Sequence, residues 1–512
     1  MTSVIVQTGA GLVRGSTADG VARWLGIPYA QAPVGDLRWR APLAPEPWVE
    51  ARSTAQFGAA SPQPVNAMMQ FPDGVGQSED CLTLNVWVAD GVQPDAALPV
   101  LFWIHGGAYM FGGSAQVMYD GQALVESGDV VLVTVNYRLG AFGFLDLSAW
   151  NSPEHPFDSN LALRDLLLAL QWTRDNIAGF GGDPNQVTIW GESAGGGLVT
   201  TLLAVPSAAG LFHRAIAHSS PSSSVYSSER TTAIARQFLD AVGVTGDSLG
   251  SLRELPTEQL VTASSRVYAA VPDASPGVLA FTPSVDGDLV PEHPISVLRD
   301  GRGIPVPLLI GTNHDEASLF KFMKSPLMPI ESATILQMFD AIAHEQPGLV
   351  LPSQAQVTSA YAGIPTKAIG MGVAGDIGFR MPTIWLIEGH ARVAPVHLYR
   401  FDWATPMLHL IKMGAAHGTE LPYVFGNLDG GKKDITFKLG GRHRGEALSK
   451  RMRSRWIAFA VSGTPDGTAS PAWPAFDLSA RATLVIDAHD RVVDDLDGEL
   501  RRAWGEQVLS FE

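Results

Sequence analysis

Two stretches of the chain are apolar without alternation, Leu98–Ile104 running into a glycine-rich loop and Val130–Arg138, and Val187–Trp190 is β-branched and aromatic. Runs of this length with no polar face suit strands buried on both sides, as in a parallel sheet covered by helices. Between them, Asn160 to Ile177 places Leu163, Leu166, Leu167, Leu170 and Ile177 at helical spacing, with Arg164 and Asp165 on the way, and stops before Gly179. Further strands are predicted at Ala215–His218, Ile304–Gly311 and Val396–Asp402, with one or two more over Thr483–Val493. Residues 228–275 and 318–390 read as mainly helical, and Ala447–Val461 as a late helix. At the start, Ser3–Gln7, Leu12–Gly15 and Val21–Trp24 alternate with glycine turns, the pattern of an antiparallel meander on a sheet edge. Residues 58–80 lack a period and read as an extended loop, and Leu82–Val88 alternates like a strand. The order of these elements predicts an α/β architecture, a mostly parallel doubly wound sheet. No linker, charge run or repeat divides the chain. Residues 1–512 are therefore expected to form a single domain, with helical insertions at about 228–280 and 318–390 that form the pocket.

Composition changes this picture only at its edges. Of 512 residues, 46% are hydrophobic and 17% charged, enough for a large core. A net charge of −16 argues against a nucleic-acid partner, which requires a basic face. Cys81 is the only cysteine, so no disulfide can form within the chain. The segment Met1–Val6 has neither a basic start nor a long apolar run, and no stretch is long enough to span a bilayer. The expectation is a cytoplasmic protein without a membrane partner, monomeric or homodimeric.

The chemistry centres on the run from Val187 to Gly197. It reads as a strand, an abrupt turn, then a helix of small residues with Leu198, Leu202 and Leu203 behind it, and Asp183-Pro184-Asn185 in front marks a turn. Gly191-Glu192-Ser193-Ala194-Gly195 is G-x-S-x-G, a pattern that carries a serine on a strained turn above the sheet. Five residues alone are weak evidence in a glycine-rich chain; the flanking strand and helix strengthen it. A serine nucleophile needs a base, and the base needs an acid to orient it. In chains built on this turn they follow in the order Ser, Asp/Glu, His, on loops after later strands. His417, followed by Gly418 in a loop after the strand at Val396, stands out among 13 histidines. For the acid, Glu316 and Asp315 compete in the loop after Gly311, and Glu420 follows His417 against the usual order. His105-Gly106-Gly107-Ala108 supplies a glycine-rich loop whose N–H groups could face a developing oxyanion. The donors are assigned to Gly107, Ala108 and Ala194.

Several segments together resemble the type-B carboxylesterase family: Glu79–Val86, His105–Tyr109, Asn136–Arg138, Phe180–Asn185, Gly191–Gly195, Asn313–Glu316 and Ala416–Glu420. They occur in family order over nearly the whole chain, and the overall look is similar to the bacterial para-nitrobenzyl-esterase-like members. The resemblance implies an α/β-hydrolase fold, Glu316 as the acid, His417 as the base, and no cofactor or metal. The chain also departs from the family. Ser61 stands where a disulfide partner of Cys81 would be, Ala317 follows the Asp-Glu pair in place of glycine, and Ala108 takes the third glycine position of the oxyanion loop. No Trp occurs over residues 62–80, which argues against a choline ester.

What the resemblance implies is a serine carboxylesterase acting through an acyl-enzyme on small-molecule esters, short- to medium-chain or aryl. An amide, carbamate or lactone hydrolase would use the same triad, and a non-catalytic interaction protein is a further alternative on this fold. Candidate pocket residues, chosen for nearness to the motifs in sequence, are Tyr109, Glu192, Phe320, Met407 and Leu408, with Phe111, Met323 and Leu410 behind them.

Overall fold

The computed structural model describes residues 2–511 apart from 354–355, 357–358, 362–365, 432–433 and 468–469. Part of the helical insertion expected over 318–390 thus lies outside the described residues. The strands are β1 (Thr2–Gln7), β2 (Leu12–Ala18), β3 (Val21–Pro28), β4 (Arg52–Ser53), β5 (Thr83–Ala89), β6 (Leu98–Ile104), β7 (Val131–Val135), β8 (Gly182–Glu192) and β9 (Arg214–His218). They continue with β10 (Tyr226–Ser227), β11 (Ser284–Val285), β12 (Leu308–Asn313), β13 (Val396–Phe401), β14 (Thr483–Ile486) and β15 (Arg491–Val493). Among the described residues one sheet runs β1-β2-β3-β5-β7-β6-β8-β9-β12-β13-β14-β15, with β4 beside β2. From β7 to β14 every neighbouring pair is parallel. The meander at one edge and β15 at the other are antiparallel.

The unbroken apolar runs are explained by two cores. Along β6, Val100, Phe102 and Ile104 enter one core, and Leu101 and Trp103 enter the other. Neighbouring strands do the same, with Val131, Val133 and Ile189 on the first side and Leu132, Trp190 and Ile216 on the second. Helix Leu161–Asn176 covers the first face with Leu163, Leu166 and Leu170. Helix Arg442–Ser462 covers the second with Leu448, Met452, Trp456 and Phe459. A buried ion pair lies beside the first core: Asp165 Oδ1 meets Arg138 Nη2 at 2.6 Å and its Oδ2 accepts from Arg138 Nε at 2.8 Å.

Two expectations shift. The apolar run from Ile304 joins the ladder only at Leu308, because Pro305 and Pro307 carry no N–H to donate. Asp183–Asn185, expected as a turn, lies inside β8. There Asp183 Oδ1 accepts the Asn185 N–H at 2.8 Å, and the pairing with β6 slips between Leu98 and Val100, so a local side-chain bond produces an irregular strand and not a chain reversal. The helical insertions begin with Ser228–Val242 and Thr257–Ala274, whose stem is the parallel pair β10–β11. The second comprises Ala317–Met323, Ser332–Glu345, Thr366–Gly375 and Met381–His390.

Cys81 is buried in the first core. The Ser61 hydroxyl bonds to it, yet burial, helped by the charge of Asp165, pushes the thiol up to about 12. Among the described residues no helix is long and apolar enough to cross a membrane.

Candidate active site

The carboxyl ends of β6, β8, β9, β12 and β13 lie along one edge of the sheet, where an open α/β fold leaves its binding crevice. Ser193 stands between β8 and helix Ala194–Leu202 with φ 57° and ψ −124°, a conformation that ordinary L-residues seldom adopt. Its own N–H is held by the His218 carbonyl at 3.0 Å and its carbonyl accepts the Gly197 N–H at 2.8 Å. The two motif glycines are required by backbone approach. A Cβ on Gly191 would lie 2.5 Å from the Gly195 carbonyl carbon and 2.9 Å from the Ile104 oxygen. One on Gly195 would fall on the Ile104 carbonyl oxygen.

Glu316 lies just past the end of β12, after His314 and Asp315, and His417 sits in the loop beyond β13. Their side chains meet, His417 Nδ1 lying 2.6 Å from Glu316 Oε2. The other oxygen of Glu316 accepts from the Asn313 N–H at 2.7 Å and the Ser219 hydroxyl at 2.5 Å. A carboxylate fixed by two donors requires the proton of neutral His417 to lie on Nδ1, which leaves the lone pair on Nε2. Nε2 is buried and has no hydrogen-bond partner among the described residues. The competing acids point elsewhere. Asp315 accepts the Ala415 N–H at 3.0 Å and pairs with His314 Nδ1 at 3.1 Å. Glu420 accepts from Asn313 Nδ2 and lies 3.3 Å from His218 Nδ1. His218 in turn takes the indole N–H groups of Trp190 and Trp456 on Nε2, at 2.8 and 2.9 Å, so the loop that holds the Ser193 N–H is fixed to the second core.

Glu192, beside the serine, is buried, and its Oε1 approaches His417 Nε2 to 3.2 Å. Burial pushes its carboxyl up to about 8; the positive charge of His417 opposes this, and Glu420 and Glu316 add to it. For His417, burial disfavours the charged ring, but the carboxylates of Glu192 and Glu316 prevail and push it up to about 9.

The loop after β6 turns sharply through Gly107, Ala108 and Tyr109 at φ 120°, 53° and 59°. A Cβ on Gly107 would strike the Phe111 carbonyl, so the glycine is needed there. The Gly107 carbonyl accepts the N–H groups of Met110 and Phe111 at 3.0 and 2.8 Å, which closes the turn. The N–H groups of Gly107, Ala108 and Ala194 donate to no other part of the chain among the described residues.

Ala108, Ser193 and Ala194 line a cavity with an empty volume of about 780 Å³, part of it continuous with solvent. Of the side chains expected around it, Tyr109 and Phe320 line it. The Phe320 ring lies 5.1 Å from the His417 ring. Glu192 does not line the cavity; it lies against His417 instead. Met407 and Leu408 do not line it either. They belong to the short helix Pro406–Leu410, where Leu408 is buried and its carbonyl accepts the N–H groups of Met413 and Gly414, turning the chain back before it reaches His417. Met323 and Leu410 are solvent-exposed, and Phe111 packs edge-on against Tyr268 at 5.4 Å. A wall residue missed in the sequence is Phe379, whose ring lies 4.6 Å from that of His417. It occupies a π-helical turn, Asp376–Arg380, where a 3.6-residue period assigns the wrong face. Among the described residues no cluster of three or more His, Cys, Asp or Glu side chains could hold a metal ion.

Comparison with known proteins gives the family and the fold. The Carboxylesterase family profile matches residues 2–504. The chain is similar to the para-nitrobenzyl esterase of Bacillus subtilis (strain 168), with 37% identity over 98% of both chains. It is also similar to the phenmedipham hydrolase of Pseudarthrobacter oxydans, with 32% identity over 97% of this chain and 98% of that one. A solved structure of a PNB esterase superposes with a TM-score of 0.85 at 35% identity, covering 98% of this chain and 99% of the other. A fold match and relatives above 30% identity, each spanning almost the full length, lead to one conclusion: the chain belongs to the carboxylesterase family and is a carboxylic ester hydrolase of the α/β-hydrolase fold.

Proposed function

We propose that Ser193, His417 and Glu316 form the catalytic triad of this esterase, and that its substrates are short- to medium-chain or aryl esters. The observation that carries this reading is the His417–Glu316 pair at 2.6 Å, with the His417 ring packed on Phe320 and Phe379, which line the same cavity as Ser193. His417 takes the hydroxyl proton as the Ser193 oxygen attacks the ester carbonyl, and Glu316 stabilises the imidazolium so formed. The oxyanion of the tetrahedral intermediate is received by the N–H groups of Gly107, Ala108 and Ala194. The C–O bond to the alcohol breaks, the alcohol leaves with the proton from His417, and water repeats the attack on the acyl-enzyme. Ala108 keeps its backbone N–H donor, while its methyl narrows the space for bulky alcohols. The same reading takes residues 1–512 as one domain and the protein as a cytoplasmic enzyme, monomeric or homodimeric, that binds no nucleic acid.

The test is a pre-steady-state burst with para-nitrophenyl acetate. One equivalent of para-nitrophenol per chain is expected, with an acetyl adduct on the peptide containing Ser193 after acid quench. Labelling at another residue would overturn the assignment.

The charges around His417 set a pH dependence. The base works unprotonated, so anything that raises its pKa moves the acid limb of kcat/KM to higher pH. Glu192→Gln removes one of the three carboxylates that raise it, the others being Glu316 and Glu420. The acid limb is then expected at lower pH than in wild type, read from kcat/KM for para-nitrophenyl acetate across the pH range. A shift to higher pH would contradict the charge assignment.

A further inference from the structure

The cavity does not end among residues near the motifs. Its lining extends to Leu509, Ser510 and Phe511, far from Ser193 in sequence, and Leu509 and Phe511 are buried away from solvent. This segment is fixed in place. The Ser510 carbonyl accepts from Gln346 Nε2 at 2.8 Å, and Gln507 Oε1 accepts the Val350 N–H at 2.9 Å. The Arg230 guanidinium, ion-paired with Glu345, lies 5.0 Å from the centre of the Phe511 ring. Phe511 is buried, and a Cβ on Gly277 would come 3.3 Å from its ring edge, so the wall has no slack on that side. Leu279, Met338 and Ile342 line the same region. No charged side chain lines the cavity among the described residues, which suits an unbranched apolar chain. The leaving alcohol must escape and water must enter by the open side, whereas the acyl group stays bonded to the serine through both steps. The solvent-shielded wall around Leu509 and Phe511 therefore matches the acyl side.

We propose that the segment Leu509–Phe511 is the end wall of the acyl pocket and that Phe511 limits the length of acyl chain accepted. This deepens the esterase reading and rests on Ser193 as the nucleophile. Removing the Phe511 ring opens room for further methylenes, each worth about fourfold in kcat/KM when buried.

The experiment measures kcat/KM for para-nitrophenyl esters from acetate to dodecanoate, each expressed relative to acetate in the same protein. Phe511→Ala is expected to move the optimum to longer chains, with the relative value for the first disfavoured ester rising tenfold or more. Ile342→Phe fills the same end and is expected to move the optimum to shorter chains. A uniform fall across the series in Phe511→Ala, or an unchanged optimum in both variants, would overturn the proposal, since a merely destabilised enzyme loses all substrates alike. Acetate esters of lengthening alkyl alcohols form the second series, and a shift confined to that series would also overturn the acyl assignment. Failure of the nucleophile reading is separate: it would appear as an absent Ser193 adduct, whatever the chain-length profile.

Discussion

Ser193→Ala is expected to lower kcat/KM for para-nitrophenyl esters by roughly 10⁴- to 10⁶-fold, the scale found when a triad serine is removed. The fold has little reason to respond. The Ser193 hydroxyl takes part in none of the hydrogen bonds among the described residues, so its loss strands no partner. Alanine keeps the Cβ that the positive φ already accommodates. The thermal unfolding midpoint should therefore stay close to wild type while activity vanishes. Hydrolysis of the acetate-to-long-chain series by both proteins, side by side under one condition, makes the check. Equal rates in the two would remove Ser193 from the mechanism.

Glu316→Gln is expected to lower kcat on the order of 10⁴-fold through the tautomer of His417. The glutamine oxygen must stay on the Asn313 N–H, a backbone donor that cannot rotate away. Its amide NH₂ then faces His417 Nδ1 and can only donate to it. His417 is driven to carry its proton on Nε2, the atom that has to accept from the serine. The opposite orientation sets two donors against each other at Asn313. Steady-state kinetics with circular dichroism on the variant separate this from unfolding. A loss below tenfold would show that another acid orients the base, with Asp315 and Glu420 as the remaining candidates.

Much of this site could be read in the sequence because its rules are steric. Gly191 and Gly195 mark the serine because a side chain at either would enter the backbone of β6 or of the helix, so the pattern and the geometry are one constraint. The apolar runs of β6 and β7 announced a sheet covered on both faces, since residues on either side find a core. The choice between Asp315 and Glu316 was not open to composition or spacing; it depends on which carboxylate reaches past Asn313, and resemblance to the family was needed to make it. The pocket was least legible. Met407 and Leu408 lie near His417 along the chain but on a turn that diverts them. Phe379 is displaced by a π-helical turn, and Phe511 arrives from sequence far from any motif. Turn chemistry misled once as well, at Asp183, where the signal describes a local side-chain bond that a strand can absorb.

The buried thiol of Cys81 has a practical consequence. Reagents such as maleimides attack the thiolate, and a group pushed up to about 12 and sealed in the core presents almost none at neutral pH. With no other cysteine in the chain, the natural sequence is already a silent background for labelling. A cysteine placed on the surface would be the only reactive one, so a fluorophore or spin label can be attached at a chosen position without first engineering the native residue away.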